Sequence, residues 1–384
     1  MGGMSPAGVL GYDAGLGLAW LSQYGCSPLL QLLPRYGAEA VWAGDEAALA
    51  GWGMGSAVIA RFEKKRAAFS VSAARKVVEE RGLTFIPFGD ALFPPELGDL
   101  RYPPAGLFVK GASGRLESVL RAPRITVVGT RRSTPYGNRV TALMVSAFAE
   151  RGVVVVSGLA LGIDGRAHQA TLDAGGMTVG VLGCGADIVY PPRHRRLFEQ
   201  MELDGLVMSE LPPGVAPARW TFPHRNRLLA ALGDAVLVVE GSRRSGALQT
   251  ASAALELGRP VFAVPGLITS ENHQGCNWLI YDGAAPAVDA SVTVEEFFLR
   301  TRIERKERSL AARQSADLGS PEAARAGSPF HALVLEVLAD GACSVDGLAS
   351  RTLLEARQVT VALSELEIGG LVVRSELGLY IRAP

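Results

Sequence analysis

The sequence predicts an α/β protein: a doubly wound, mostly parallel sheet with a small helical module before it and a winged-helix module after it. Three observations lead there. From Arg124 onward, short apolar runs rich in β-branched residues alternate with helical patterns, as strands buried on both faces do when helices cover them. Before residue 82, apolar residues fall only in helix-like groups divided by glycine and proline. Beyond Pro329, three helical stretches end in two short strand runs.

Residues 1–81 read as short helices. Leu29, Leu30, Leu32 and Leu33 precede Pro34 and Tyr36-Gly37; Val41, Trp42, Leu49, Trp52 and Met54 follow, then a charged helix around Arg61–Arg66. Helix, glycine turn and helix at this size fit a module of the sterile-alpha-motif or helix-hairpin-helix kind. Such a module serves either as a DNA-backbone contact or as a structural bundle. Residues 82–300 form the core. It opens with a Pro/Gly-rich connector holding strands at Thr84–Pro87 and Gly106–Lys110. Strands follow at Ile125–Gly129, Val153–Ser157, Thr178–Leu182, Leu206–Ser209, Ala235–Glu240 and Pro260–Val264. Between them lie helices at Tyr136–Arg151, Ile163–Ala174, Arg193–Met201, Arg225–Leu232 and Ala247–Leu257. Residues 301–328, charged and then Ala/Ser/Gly-rich, read as a linker.

Residues 329–384 hold helices near Phe330–Leu338, Val345–Ser350 and Glu355–Ile368. Leu371–Arg374 and Leu379–Arg382 then pair across Glu376-Leu377-Gly378, the pattern of a winged helix. Its recognition helix offers Arg357 against Glu365 and Glu367, so a protein contact is served as well as DNA.

Composition narrows the function. With 38 basic and 38 acidic residues the net charge is zero, which argues against coating nucleic acid by overall charge. No apolar run reaches the roughly 18 residues of a membrane span, and no signal-like N-terminus is present, so the cytosol is the expected compartment. Cys26, Cys184, Cys276 and Cys343 lie far apart with no CxxC pair, which points to neither zinc nor disulfides.

Charge is nevertheless segregated locally. Arg121–Arg139, Leu211–Gly233 and Gly241–Leu255 contain arginines and no acid, and all three lie where strands hand over to helices. Ligands of doubly wound sheets bind at those strand ends. In Phe222-Pro223-His224-Arg225-Asn226-Arg227 the arginines are predicted at a helix N-terminus, beside unpaired N–H groups suited to phosphate, with Trp220 and Phe222 as flat faces for bases. Ser245-Gly246-Ala247-Leu248-Gln249-Thr250 is a second such helix start, preceded by Arg243 and Arg244. The turn Gly129-Thr130-Arg131-Arg132 is neither GxGxxG nor GxxxxGK[ST], so nucleotide-cofactor and P-loop chemistry both lose support. Gly183-Cys184-Gly185 starts a GxG but has Ile188 where the third glycine belongs. Asp164 and His168, four residues apart, are read as a helix cap and a loop buttress rather than an acid/base pair. No catalytic set, metal site or cofactor is expected.

Taken together and in this order, VVGTRRSTPYG (127–137), the run 155–191 beginning VVSGLALGIDGRAH, MSELPPG (208–214), FPHRNRLLAAL (222–232), the run 238–266 beginning VVEGSRRSGALQT, and GCNWLIYDGA (275–284) resemble the DNA-processing protein A (DprA/Smf) family. The resemblance implies a Rossmann-like core that binds single-stranded DNA without catalysis. It also implies protection of incoming DNA in natural transformation, loading of the RecA recombinase, single-strand-binding protein as a further partner, and a homodimer. It assigns DNA contacts to Arg131 of the first turn, to Arg225, Asn226 and Arg227, and to Gly246 and Thr250. With the strand-end residues Gly129, Arg132, Gly158, Trp220, Phe222, Arg243, Arg244 and Ser245, these form the candidate site. No lysine occurs between Lys110 and Lys306, so arginine alone supplies its cations. Trp278, Leu279, Ile280, Phe297 and Phe298 are the candidate dimer surface. The alternative is a Rossmann-like nucleotide phosphoribohydrolase of the lysine decarboxylase-like group, but Gly241–Thr250 lacks that group's double glycine and following glutamate.

Overall fold

The computed structural model describes residues 6–111, 114–301 and parts of 334–382. Two compact units, Met1–Ile303 and Glu304–Pro384, divide the chain. In the first unit, α1 (Pro6–Leu21) ends in a kinked turn over Ser22–Cys26 and a 3-10 turn over Ser27–Leu32. Then come α2 (Leu33–Ala43), α3 (Glu46–Gly51), α4 (Ser56–Ala67) and α5 (Val71–Glu80). Their apolar faces close around Leu16, Leu29, Val41 and Phe62, and this core continues into Phe85 and Phe108 of the sheet. The helical module is therefore packed onto the sheet by shared hydrophobic burial.

The sheet contains β1 (Thr84–Pro87), β2 (Gly106–Gly111), β3 (Arg124–Val128), β4 (Val154–Ser157), β5 (Thr178–Val181), β6 (Leu206–Ser209), β7 (Ala235–Val238), β8 (Val261–Ala263) and β9 (Ala285–Pro286). Their spatial order is β1-β2-β6-β5-β4-β3-β7-β8-β9. The two connector strands extend this sheet: β1 and β2 pair antiparallel with each other, and β2 pairs antiparallel with β6. All other pairs are parallel. The central strands are buried at every position, which is why their sequences are continuous apolar runs.

The helices are α6 (Arg115–Arg121), α7 (Pro135–Glu150), α8 (Ile163–Asp173), α9 (Arg195–Asp204), α10 (Thr221–Leu232), α11 (Gly246–Glu256) and α12 (Glu271–Tyr281). Two expected helix starts move by two residues or more. The helix expected from Arg193 starts at Arg195, behind a 3-10 turn over Pro192–His194. The helix expected from Arg225 starts at Thr221, because Pro223 falls in the first turn, where its missing N–H has no helical partner to lose. Arg225 and Arg227 consequently lie in the second turn, away from the unpaired N–H groups.

In the second unit, the helix Val345–Thr352 and the antiparallel ribbon Val372–Arg374 with Tyr380–Arg382 surround a core including Leu348, Leu363 and Leu366. This is the winged-helix pattern. The linker after residue 301, Arg357 and the Glu376–Gly378 turn lie outside the described residues. Among the described residues no helix is long and apolar enough to cross a membrane.

Candidate nucleic-acid interface

Chain order reverses between β3 and β7: β4 lies on one side of β3, and the much later β7 on the other. A crevice opens at such a switch point. Here it is a cleft of about 660 Å³. The loop after β3 contributes Gly129, Thr130 and Arg131; the loop after β4 and the start of α8 contribute Ala160 and Asp164. Tyr190, Arg219, Phe222, Arg225 and Asn226 form one wall, and Ser242, Ser245, Gly246, Gln249 and Thr250 another.

The two helix starts beside the switch point differ. That of α7 is closed from within: the fully buried Glu240 carboxylate accepts the Thr134 N–H (2.9 Å) and hydroxyl (2.5 Å). The protein's own anion occupies the place where a helix dipole would attract phosphate. At α11, Ser245 caps the helix by accepting the Ala247 N–H at 3.1 Å, and Ser245, Gly246 and Ala247 all face the cleft. This second helix start is open to an anion.

The arginines divide into two kinds. Arg124, buried in β3, donates to the Leu232 and Leu120 carbonyls and pairs with Glu96. Arg225 is also buried; its Nη1 donates to the Gly158 carbonyl at 2.8 Å and to that of Val181. A Cβ at Gly158 would collide with this guanidinium, so glycine there makes room for Arg225. Arg227 pairs with Glu210 and donates to the Tyr102 carbonyl at 2.8 Å. These three are struts. Arg225, expected at the exposed start of a helix, is instead turned inward by the earlier helix start.

Arg131 and Arg219 are different. Both are exposed on the cleft and, among the described residues, neither makes a salt bridge, although the charge of Arg131 reaches Asp164 on the same cleft. Arg131 lies 4.9 Å from the centroid of Phe222, whose ring is tilted against Tyr190 at 5.6 Å. Cation, aromatic faces and helix start together present what a phosphate and a base require.

Of the candidate residues, Gly129, Arg131, Phe222, Arg225, Asn226, Ser245, Gly246 and Thr250 line the cleft. Gly158 lines a small adjoining hollow with Gly183 and Tyr190. Arg132 and Arg244 are exposed outside the lining, and Trp220 is half-exposed beside His224. Arg243 stacks on Trp278 at 4.2 Å. Sequence reasoning missed Arg219, Tyr190 and Gln249. Arg219 stood in the acid-free run, two residues before α10, and lines the cleft from there.

Asp164 does not cap its helix. The N-cap of α8 is Gly162, and the Asp164 carboxylate takes the backbone N–H groups of Ala160 and Gly158 instead. Burial pushes its pKa up, with Arg225 opposing that rise. His168 is the expected buttress. Its Nε2 accepts the N–H of Leu159, the non-glycine residue held in the left-handed region (φ 54°), and its Nδ1 meets the Thr178 hydroxyl at 2.7 Å. His194 Nδ1 holds the Leu159 carbonyl at 3.0 Å. Two imidazoles thereby pin a backbone geometry that otherwise costs about 1–3 kcal/mol.

Burial, aided by the nearby His194 and Arg225, pushes His168 down to about 3 from 6.5. The unfolded chain therefore takes up a proton that the folded chain refuses. This contribution is fully present above pH 6.5 and is lost as pH falls from 6.5 towards about 3, by up to about 1.4 kcal/mol per pH unit. Urea midpoints at pH 7 and pH 5 check this, with His168→Gln expected to flatten the difference. An unchanged pH dependence in the variant rules His168 out as its source.

A family model described as DNA recombination-mediator protein A matches residues 84–298, and one for the DprA winged helix domain matches residues 319–376. Protein Smf of Escherichia coli is 36% identical over 316 residues, covering 82% of this chain and 81% of the relative. A putative DNA processing protein DprA of Mycobacterium tuberculosis is 50% identical over 182 residues, 47% of this chain and 46% of its own length. Among solved structures, DNA processing protein A of Streptococcus pneumoniae superposes with a TM-score of 0.65 at 32% identity, over 74% of this chain and 96% of that one. The Helicobacter pylori protein, described with a unique single-stranded DNA binding mode, gives 0.51 at 26% identity, over 57% and 97%.

Proposed function

Because this chain belongs to the DNA recombination-mediator protein A (DprA/Smf) family, we propose that it is a cytosolic, non-enzymatic mediator that grips single-stranded DNA in the switch-point cleft and passes it to the RecA recombinase. The observation that carries this reading is one cleft that holds the exposed Arg131, set over the Phe222 ring, the exposed Arg219 and the open start of α11. Guanidinium and backbone N–H groups take phosphate whatever the base, and an aromatic face accepts any base, so binding is sequence-tolerant. The single-strand binding described for the Helicobacter pylori relative supports the same reading. Protection of incoming strands in transformation, with single-strand-binding protein as a further partner, belongs to this proposal.

A homodimer belongs to this proposal. Leu279 and Ile280 pack against the core and Phe297 is fully buried, which removes them from the expected surface. What remains exposed is Trp278 and Tyr281 of α12 with Leu267 and Ile268, tied to that helix by the Asn277 side chain at Gly266. Four exposed apolar residues on one edge suit a two-fold contact, and linking two clefts makes the second grip intramolecular.

The test is titration of labelled oligo-dT and its duplex counterpart at two salt concentrations, with light scattering of the same samples. Tight, salt-dependent single-strand binding by a species of twice the 40.4 kDa chain mass is expected. Release of free base from nucleoside monophosphates would return the hydrolase reading.

A further inference from the structure

A second basic surface lies on the helical module, and none of its residues lines the cleft. At the kink after α1, Tyr24 and Gly25 leave helical geometry, and Gly25 (φ 79°) turns the chain into the segment Ser27–Leu32. Facing this turn, Arg61, Lys64 and Lys65 of α4 fall at i, i+3 and i+4 on one helix face. With Tyr24 and Ala60 they line an open groove of about 600 Å³. Arg61 Nη1 donates to the Gly25 carbonyl at 3.2 Å, and Lys65 Nζ stands 4.2 Å from the centroid of the half-exposed Tyr24 ring. Glu63, the one acid of α4, is not in the lining, and no other acid is. The opposite side of α4 does the packing: Ile59 and Phe62 are buried, and Arg66 bonds the Trp42 and Gly44 carbonyls. Lys64 and Lys65 are therefore not needed for the fold.

We propose that this groove is a second contact for single-stranded nucleic acid, with phosphates on Arg61, Lys64 and Lys65 and a base against the open face of Tyr24. An acidic polypeptide would match the charge but leave the aromatic face unused, whereas the alternating phosphate and base of a single strand engage both. The helical module shares its hydrophobic core with the sheet, so groove and cleft belong to one unit. A strand held in the cleft then meets the groove at high effective concentration, provided it is long enough to span both. The inference rests on the single-strand reading of the cleft.

The experiment uses the full chain with oligo-dT of about 10 and about 50 nucleotides, the shorter within the span of a single site. Lys64→Ala with Lys65→Ala leaves the short oligomer unaffected. It weakens the long one about tenfold and lowers its salt slope by about 1.4, about 0.7 for each lost phosphate contact. Tyr24→Ala weakens the long oligomer without changing that slope. Unchanged long-strand affinity and slope in folded variants overturn the proposal, as does an equal loss at both lengths. Capture of poly-glutamate but not oligo-dT by the groove overturns it in favour of an acidic protein partner. Failure of the cleft reading looks different: the wild-type chain would not hold the short oligomer, while dependence of the long one on Lys64 and Lys65 would persist.

Discussion

Arg225→Ala is expected to destabilise the sheet unit by about 2–5 kcal/mol, the cost of deleting a large buried side chain together with its hydrogen bonds to buried carbonyls. The loss has identifiable parts. The carbonyls of Gly158 and Val181 lose their guanidinium donor in a buried environment. Asp164, already pushed towards protonation by burial, loses the positive charge that opposes it. A cavity is left where Gly158 had made room. For a domain stable by about 5–15 kcal/mol, such a loss lowers the urea midpoint well outside experimental error. Adding Asp164→Asn should restore part of it, since a neutral amide needs no counter-charge. Arg225→Lys should not, because an ammonium cannot reproduce the planar donor fork. A midpoint shift corresponding to less than about 1 kcal/mol would show that Arg225 is not a strut. A DNA-binding defect in this variant would be secondary to instability and says little about phosphate contact.

Arg131→Ala with Arg219→Ala is the complementary experiment. Both side chains are exposed and, among the described residues, in no salt bridge, so the fold should be retained. Each charge-assisted contact to phosphate contributes about 1.5–3 kcal/mol, so the double variant should lose at least about 3 kcal/mol, or more than a hundredfold in affinity. The single-strand salt slope should fall by about 0.7 per contact. Arg121→Ala, which removes an exposed arginine paired with Glu117, is the control and should leave binding intact. Wild-type affinity and slope in a folded double variant would remove these arginines from the site.

The two variants mark the limit of what was legible in the sequence. Strand runs such as Val154–Ser157 could be read directly, because burial on both faces leaves no alternative composition. The three acid-free stretches likewise announced that the strand ends carry positive charge. Which arginine is buried and which stays exposed on the cleft could not be read, since that depends on where the helix starts and on carbonyls more than forty residues away at Val181 and Gly158. The role of Glu240 was hidden for the same reason. A carboxylate just beyond β7 reads as part of a ligand site until Thr134, from another loop, is seen to occupy it. Residues such as Leu279 and Ile280, half-buried against the core, could not be assigned from the sequence because an apolar helix face looks alike whether it meets the core or a partner.

The division of cations has a consequence for chemical modification. Five lysines occur in the chain: Lys64, Lys65, Lys76, Lys110 and Lys306. Lys76 and Lys110 are engaged with Glu80 and Glu202, while the cleft is lined by arginine alone. Acylation, whether enzymatic or by a laboratory reagent, neutralises amines and spares guanidinium groups. Such treatment would strip the groove formed by Tyr24 and α4 of two of its three cations, leaving Arg61, and leave the cleft fully charged, so a single reagent can weaken the outer surface independently of the inner one.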